Sequence, residues 1–284
     1  MRSSDLTRRE IIAGAVGTGF ALAVRPISAA TITTSADGLT LADVHIPTHA
    51  GDIPAYSARP AKPKGKPPIV LVVHEIFGVH EHIRDVCRRL AKLGVLAVAP
   101  DLFVRQGDVS KIADMKEIMG KVVSKVADEQ VLGDLDATVA WAKTAGGGDA
   151  GRVGITGFCW GGRIVWLWAA HAAAIKAGVA WYGRLTGERD AVHPRHPLDV
   201  AAAVKAPVLG LYGGQDQGIP LASVEEMRKA LAGGGAAAKR SMIQVYPDSG
   251  HAFFADYRPS YRPADAADGW NRLIAWFKAN GILI

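Results

Sequence analysis

The 284-residue sequence contains few cysteines, few aromatic residues and no long block of one charge. Two cysteines, Cys87 and Cys159, are too few to form a disulfide framework in a chain of this length. The formal net charge is +6, but the basic residues are scattered singly or in short groups such as Arg88-Arg89, so no nucleic-acid partner is expected. Hydrophobic residues make up 49% of the chain, which is typical of a globular protein with a large core.

The first 30 residues have the features of a removable export signal. The pair Arg8-Arg9 precedes a weakly apolar stretch at 11–24, and the small residues Ser28-Ala29-Ala30 follow it. This arrangement resembles a twin-arginine signal, which implies export of an already folded protein to the periplasm. An uncleaved anchor helix is the alternative, although the stretch would rise only about 21 Å, short of a bilayer core of about 30 Å. We predict a mature chain of 31–284 that is not inserted in the membrane.

The mature part alternates apolar strands with amphipathic helices. Predicted strands lie at 69–73, 95–100, 153–156, 178–182, 207–212 and 243–246. Predicted helices lie at 82–93, 111–143 with a break near Asp128, after Gly162, 221–232 and 264–280. Continuous apolar strands joined by helices predict a mostly parallel sheet that is buried on both faces. We expect a single α/β domain over 31–284 that starts with an extended or hairpin segment at 31–60, with a monomer favoured over a dimer.

A cysteine with the features of a nucleophile lies between a predicted strand and a predicted helix. The hexapeptide Gly157-Phe158-Cys159-Trp160-Gly161-Gly162 follows the strand that ends at Thr156. Glycines around the nucleophile are typical of a strand-turn-helix elbow, because its strained backbone and close strand-to-helix approach leave no room for side chains. The start of a helix also favours the thiolate form of cysteine. A buried structural cysteine in a tight turn is the alternative.

An acid and a histidine follow two later strands. Asp216 comes after the strand at 207–212, and His251 comes after the strand at 243–246. Open α/β sheets place their active sites at the carboxyl ends of the strands. The order nucleophile, acid, histidine is that of the α/β-hydrolases. We predict a triad in which Asp216 orients His251, and His251 serves Cys159 first as general base and then as general acid.

With these motifs in place, the sequence resembles the dienelactone hydrolases, a family of α/β-hydrolases with a cysteine nucleophile. The resemblance runs from about Pro47 to the C-terminus and depends on five motifs. These are His74-Glu75-Ile76-Phe77-Gly78, Ala99-Pro100-Asp101-Leu102-Phe103, the Cys159 elbow, Gly213-Gly214-Gln215-Asp216 and Gly250-His251-Ala252-Phe253. The resemblance implies the α/β-hydrolase fold, a small ester or lactone as substrate, and no metal or organic cofactor.

The resemblance also implies roles for residues outside the triad. Glu75 would interact with the resting thiol of Cys159 and help to generate the thiolate once substrate binds. An acid at a loop edge, with no catalytic role, is the alternative for Glu75. The backbone N–H groups of Ile76 and Trp160 would form the oxyanion hole.

Members of the family bind the carboxylate of their substrate through two arginines. The first corresponds to Arg105 in this chain. The second lies four residues after the catalytic histidine, where this chain has Ala255, and Arg258 is the nearest substitute. This departure leaves open a general small-ester carboxylesterase in place of a dienelactone hydrolase. A non-catalytic binding module, in which Cys159 is oxidised or paired with Cys87, is the alternative from another class.

The remaining candidate residues have simpler interpretations. Cys87 recurs with apolar neighbours at helical spacing, which predicts a core thiol. His80 and His82 have no third metal ligand at a suitable spacing, so we predict that they lie at a solvated helix start. His193 and His196 lie in a proline-containing loop and are expected to bind no metal. Three tryptophans are expected in the core or in a pocket wall, namely Trp166, Trp168 and Trp181.

Overall fold

The structure is a computed structural model that describes residues 32–173 and 175–284. The predicted signal peptide lies outside these residues. One eight-stranded sheet runs through the described part in the order β1-β2-β4-β3-β5-β6-β7-β8. The strands are β1 (Leu39–Ile46), β2 (Ile53–Pro60), β3 (Pro68–Val73), β4 (Leu96–Pro100), β5 (Asp149–Phe158), β6 (Ile175–Trp181), β7 (Val208–Gly213) and β8 (Met242–Tyr246).

Strand direction divides the sheet into a hairpin and a parallel part. β1 pairs with β2 in an antiparallel hairpin, as predicted for 31–60, and β2 pairs antiparallel with β4. The strands from β4 across to β8 are parallel to their neighbours. Their runs of buried apolar residues suit a sheet that is covered on both faces. Parallel pairing brings the carboxyl ends of β3, β5, β6, β7 and β8 to one edge, where the predicted site residues lie. The protein has the α/β-hydrolase fold.

Helices cover both faces of the sheet. They are α1 (Glu81–Lys92), α2 (Asp128–Lys143), α3 (Trp160–His171), α4 (Pro197–Val200), α5 (Leu221–Ala232), α6 (Ala236–Arg240) and α7 (Pro263–Ala279). The predicted limits of α1, α5 and α7 agree with the structure to within one residue. α3 starts at Trp160, earlier than predicted, so the glycines of the elbow belong to its first turn.

The prediction of one long helix at 111–143 is wrong for the residues before Asp128. Residues 109–125 form four short turns, which are Val109–Lys111, Met115–Glu117, Ile118–Val122 and Val123–Lys125. The Asp114 carboxylate accepts a hydrogen bond from the Glu117 N–H at 3.0 Å and caps the second turn. Met119 and Val123 line the cavity described below, so the apolar residues of this segment follow a cavity wall and not one helical face.

Large aromatic residues and both cysteines are buried in the core. The three tryptophans of the prediction, Trp166, Trp168 and Trp181, are 2% exposed or less. Cys87 is fully buried on α1, and burial raises the pKa of its thiol, which confirms the predicted core thiol. Cys87 and Cys159 are both free thiols. Within 32–173 and 175–284, no helix combines the length and hydropathy needed to cross a membrane.

Candidate active site

Cys159 lies in the sharp turn between β5 and α3. Its φ of +54° is in the left-handed region that residues with a side chain rarely adopt. The turn is held by a hydrogen bond from the Cys159 N–H to the Trp181 carbonyl oxygen at 3.0 Å. A Cβ on Gly161 would lie 2.4 Å from the Val73 carbonyl oxygen, so only glycine allows α3 to approach β3 this closely. The strained turn therefore fixes the position of the Cys159 side chain.

Asp216 and His251 meet at the same edge of the sheet. Asp216 Oδ2 accepts a hydrogen bond from His251 Nδ1 at 2.7 Å. The other oxygen, Oδ1, accepts one from the Gly218 N–H at 2.8 Å, which fixes the carboxylate. Because Nδ1 is bound to Asp216, Nε2 on the opposite side of the ring is the nitrogen that can serve a reacting group. His251 and Cys159 line one cavity, so the structure brings together the nucleophile, acid and histidine that the sequence predicted.

The surroundings of His251 raise its pKa to about 10. Burial by itself lowers this pKa, because it disfavours the charged imidazolium. The negative charges of Asp216 and Cys159, together with hydrogen bonding, outweigh the burial. A proton therefore resides on His251 at neutral pH.

Two backbone N–H groups flank Cys159. Ile76 follows β3 in a turn fixed by His74, whose Nδ1 lies 2.6 Å from the Glu75 carbonyl oxygen. Trp160 is the first residue of α3, where N–H groups have no acceptor within the helix. Neither N–H donates to another group in the described part of the chain, and both residues line the Cys159 cavity. They are therefore available to stabilise a negative oxygen, the role predicted for them.

Glu75 lies in a buried cluster next to the cavity. Its carboxylate accepts a hydrogen bond from the Tyr257 hydroxyl at 2.5 Å, and His80 Nε2 lies 3.4 Å away. Burial raises the pKa of the carboxyl, but the hydrogen bond with His80 and the positive charge of Arg258 outweigh it and hold the pKa well below its usual range. Glu75 is therefore an anion at neutral pH. Glu75 is 1% exposed and is not one of the cavity-lining residues.

The solvated helix start predicted at His80 and His82 is wrong for His82, whereas His80 is 23% exposed at the start of α1. His82 is fully enclosed, and its Nδ1 lies 3.1 Å from Asp256 Oδ1. Arg89 donates to the other oxygen of Asp256 at 2.6 Å. The His80 ring packs edge-on against Tyr257 with 5.0 Å between the ring centroids. His82 in the first turn of α1 is buried because the loop after His251 folds over it.

Arg258 belongs to the Glu75 cluster. Its guanidinium lies 4.7 Å from the ring centre of Phe77 and 5.1 Å from that of Tyr257. Arg258 is 2% exposed, and the charge of Glu75 helps to raise its pKa against the effect of burial. Ala255 is fully buried. Arg258 is therefore the counter-charge of Glu75, and the structure does not place it on the cavity wall.

Arg105 is engaged outside the lining of the Cys159 cavity. Its guanidinium forms two hydrogen bonds with the Asp134 carboxylate, at 2.7 and 3.0 Å, and a third with the Thr48 hydroxyl at 2.6 Å. These contacts join the turn after β1 to α2. Arg105 is not among the residues that line the Cys159 cavity, so the structure does not bring it to the other predicted site residues.

The cavity beside Cys159 has a volume of about 660 Å³, which is within the range of small-molecule sites. Much of its wall is apolar and consists of Ile76, Met119, Val123, Trp160, Ile219 and Pro220. Arg163 lines it too, but both ends of its guanidinium bind Asp128, at 2.6 and 2.8 Å. His193 and His196 also line it. Over the residues that the structure describes, no three His, Cys, Asp or Glu side chains are grouped to hold a metal ion.

Sequence reasoning did not single out Tyr182 or Tyr257. Tyr182 directly follows β6 at the edge where the strands end and lines the cavity, so its place after a predicted strand could have indicated it. Tyr257 reaches Glu75 across 182 positions of sequence, and no local pattern indicates that contact.

Comparison with known proteins extends these observations. The family model described as "Dienelactone hydrolase family" matches residues 53–281, which span β2 to β8 and all seven labelled helices. A "Putative carboxymethylenebutenolidase" of Methylorubrum extorquens is 59% identical over 280 residues, covering 98% of this chain and 95% of that protein. A protein of the same name from Escherichia coli strain K12 is 53% identical over 263 residues, covering 93% of this chain and 96% of that one.

The fold has a close counterpart among solved structures. The crystal structure of a "Putative Dienelactone Hydrolase" from Klebsiella pneumoniae is similar with a TM-score of 0.82 and 53% sequence identity. The matched region covers 85% of this chain and 99% of the Klebsiella pneumoniae chain.

Proposed function

Since the chain belongs to the dienelactone hydrolase family, we propose that it cleaves a small ester or lactone through a thiol-ester intermediate on Cys159. The family makes the protein a hydrolase of carboxylic ester or lactone bonds. The finer proposal is supported above all by one observation. His251, bound to Asp216 at 2.7 Å, and the strained Cys159 border the same cavity.

In the first half of the reaction, the Cys159 thiolate attacks the carbonyl carbon of the substrate. The carbonyl oxygen becomes negative and accepts hydrogen bonds from the N–H groups of Ile76 and Trp160. As the tetrahedral intermediate collapses, the bond to the leaving oxygen breaks and His251 gives that oxygen its proton. An open ester releases an alcohol at this stage, whereas a lactone keeps its hydroxyl on the same molecule.

In the second half, water replaces the leaving group. His251, now neutral, takes a proton from the water while the oxygen attacks the thiol ester. The carbon–sulfur bond breaks, the acid product leaves, and the thiolate and imidazolium are restored. Asp216 keeps Nε2 of His251 directed at the reacting groups in both halves.

A dienelactone is the first substrate to test, because the similar proteins named above are carboxymethylenebutenolidases by name. Wild-type protein would be mixed with cis- or trans-dienelactone and, separately, with p-nitrophenyl acetate, and single turnovers would be followed by intact mass. We expect a mass increase of one acyl group that alkylation of Cys159 prevents. Cys159→Ala should gain no acyl group, and Cys87→Ala should gain it as the wild type does.

The outcomes of this experiment separate the possible functions. Turnover of dienelactone would support the family substrate, and turnover of the simple ester alone would make the enzyme a general carboxylesterase. An acyl group on Cys159→Ala would contradict the nucleophile. No acyl group on the wild type with any substrate would favour the binding module.

We also propose that residues 1–30 export the enzyme to the periplasm. N-terminal sequencing of the protein from a periplasmic fraction should give a chain that begins near residue 31. Intact protein that starts at Met1 and stays in the cytoplasm would contradict export.

A further inference from the structure

Tyr182 is held in a strained position at the end of β6. Its φ of +38° is in the left-handed region, which is rare for a bulky residue. Its N–H donates to the Leu211 carbonyl oxygen at 2.8 Å, so β7 holds the strained backbone in place. A Cβ on the next residue, Gly183, would lie 2.2 Å from the carbonyl carbon of Gly162 in α3. The chain at Tyr182 is therefore tightly packed against the helix that carries the nucleophile.

The hydroxyl of Tyr182 is buried and has no hydrogen-bond partner among the residues that the structure describes. Three other buried or half-buried tyrosines have a partner for this group. Tyr212 accepts from the Trp166 Nε1–H at 3.0 Å, Tyr246 donates to Asp268 at 2.8 Å, and Tyr257 donates to Glu75. A buried hydroxyl without a partner lowers stability and is rare in native proteins, so the group at Tyr182 calls for a functional explanation.

The side chain of Tyr182 lies beside the reacting groups. Its ring packs edge-on against the imidazole of His251, with 5.2 Å between the ring centroids, and Phe253 supports it at 5.4 Å. Tyr182 and Cys159 line the same cavity. A substrate bonded to Cys159 therefore shares its cavity with this tyrosine.

The charge of the surroundings determines what the hydroxyl can bind. Burial and the negative charges of Glu75 and Cys159 raise the pKa of Tyr182 well above its usual value, so the side chain stays a neutral phenol that can donate a hydrogen bond. At this hydroxyl the positive charge of Arg258 acts more weakly than the negative charges of Glu75 and Cys159, so a second anion is disfavoured. The acceptor that suits the Tyr182 hydroxyl is therefore a neutral oxygen.

We propose that the Tyr182 hydroxyl donates a hydrogen bond to a neutral oxygen on the carbon next to the scissile carbonyl, so that the enzyme prefers acyl groups with an ether, keto or hydroxyl oxygen on that carbon. This inference depends on the proposed function, because it assumes an acyl group on Cys159. It makes Tyr182 a substrate-binding residue that determines specificity. Arg105 and Arg258, the arginines considered for a substrate carboxylate, are engaged with Asp134 and Glu75.

Two esters of equal size test this preference. p-Nitrophenyl methoxyacetate has an ether oxygen on the carbon next to the scissile carbonyl, and p-nitrophenyl butyrate has a methylene group in place of that oxygen. For Tyr182→Phe we expect kcat/KM to fall at least about tenfold with the methoxyacetate and less than about twofold with the butyrate. Differences in the intrinsic reactivity of the esters cancel, because each variant is compared with the wild type on the same ester.

Thermal unfolding separates this role from a structural one. Because the hydroxyl has no partner in the described chain, Tyr182→Phe should unfold at the wild-type Tm or above it. Tyr246→Phe is the matched control, since it removes a tyrosine hydroxyl that is bound to Asp268 away from the cavity. It should lower the Tm and leave the ratio of kcat/KM for the two esters unchanged.

Three results would overturn the proposal. The first is an equal loss of kcat/KM on both esters with a lower Tm, which would indicate a structural role for Tyr182. The second is unchanged kinetics of Tyr182→Phe on both esters while the wild type is active, which would refute the proposal and leave the proposed hydrolase intact. The third is a wild type that acylates with neither ester, in which case the proposed function fails and the role of Tyr182 fails with it.

Discussion

The sheet edge holds two buried carboxylate–histidine pairs that behave in opposite ways. Asp216 lies 2.7 Å from His251, and their interaction helps to raise the pKa of the histidine to about 10. Glu75 lies 3.4 Å from His80, yet the pKa of this histidine is lowered, because burial outweighs the attraction of the carboxylate. A carboxylate beside a histidine therefore gives a charged histidine in one place and a neutral one in the other.

The difference comes from the neighbours of each carboxylate. Glu75 also accepts from Tyr257 and balances the charge of Arg258, so His80 competes with an arginine that is always charged. Beside Asp216, the sulfur of Cys159 adds a second negative charge that favours the protonated form of His251. The proposed proton-transfer role therefore falls to the pair whose carboxylate is not shared with an arginine and whose histidine lines the cavity.

The largest expected effect comes from removing the nucleophile next to His251. Cys159→Ala should lower kcat by at least about 10³-fold, because no thiol ester can form, while the protein stays folded. Cys87→Ala is the matched control in the core, and it should keep its activity and lose roughly 1 kcal/mol of stability. Ester hydrolysis and thermal unfolding measure both variants. Residual activity of Cys159→Ala within tenfold of the wild type would remove the nucleophile from the mechanism.

The second effect comes from removing the charge of Asp216. Asp216→Asn should lower kcat by about 10²- to 10⁴-fold, because His251 loses the group that orients it and supports its charge. The stability that His251 gains from its raised pKa is fully present below about pH 6.5 and is lost as the pH rises through about 10.

Urea unfolding at several pH values checks this dependence. The difference in the free energy of unfolding between the wild type and Asp216→Asn should be largest near pH 6 and should shrink towards pH 10. A difference that grows with pH over this range would mean that the carboxylate does not stabilise a charged His251.

The third effect concerns the Glu75 pair and should appear more in stability than in rate. Glu75→Gln should lower the free energy of unfolding by roughly 3 kcal/mol, because Arg258 stays buried without its counter-charge. Activity should fall by less than with Cys159→Ala. Because the pKa of Glu75 is depressed, its contribution is present above about pH 4.5 and is lost as the pH falls below that.

Glu81→Gln is a suitable control for this variant. The Glu81 side chain is 62% exposed and pairs with Arg88, so its loss should change stability by less than about 1 kcal/mol. If Glu75→Gln and Glu81→Gln were equally stable at pH 7, the buried cluster would not depend on the charge of Glu75.

The smallest kinetic effect is expected at Arg105, which belongs to neither pair. Arg105→Gln should leave the KM for dienelactone within about twofold of the wild type, because the guanidinium is bound to Asp134 and Thr48 and not to the cavity. Stability should fall by about 1 to 3 kcal/mol, since Asp134 is left buried without its partner. A tenfold rise in KM would restore the substrate-binding role that the family resemblance implies.

The sequence allowed the meeting of Cys159, Asp216 and His251 to be predicted, but not the partners of Glu75. Cys159, Asp216 and His251 each follow a strand, and a parallel sheet brings strand ends together, so their meeting could be predicted from order alone. The partners of Glu75 could not be predicted in this way, because the Tyr257 contact and the His82–Asp256 contact join positions more than 170 residues apart. His80 and His82 therefore looked like solvated residues at a helix start.

The segment at 109–125 failed for a related reason. Its apolar residues were interpreted as one helical face, but Met119 and Val123 face the cavity while the chain turns around it. The spacing of apolar residues along a sequence predicts a helix or strand packed against the core. It does not show when such residues line a cavity around which the chain turns.

The position of β8 in the chain has a consequence for protein synthesis. The ribosome delivers Cys159, with β3 to β5, before it delivers Asp216 and His251, which follow β7 and β8. A nascent or truncated chain therefore has the cysteine without the histidine and carboxylate that adjoin it in the folded protein. The proposed proton transfers on His251 require the last strand, so under the proposed mechanism Cys159 can act only after the chain is complete and folded.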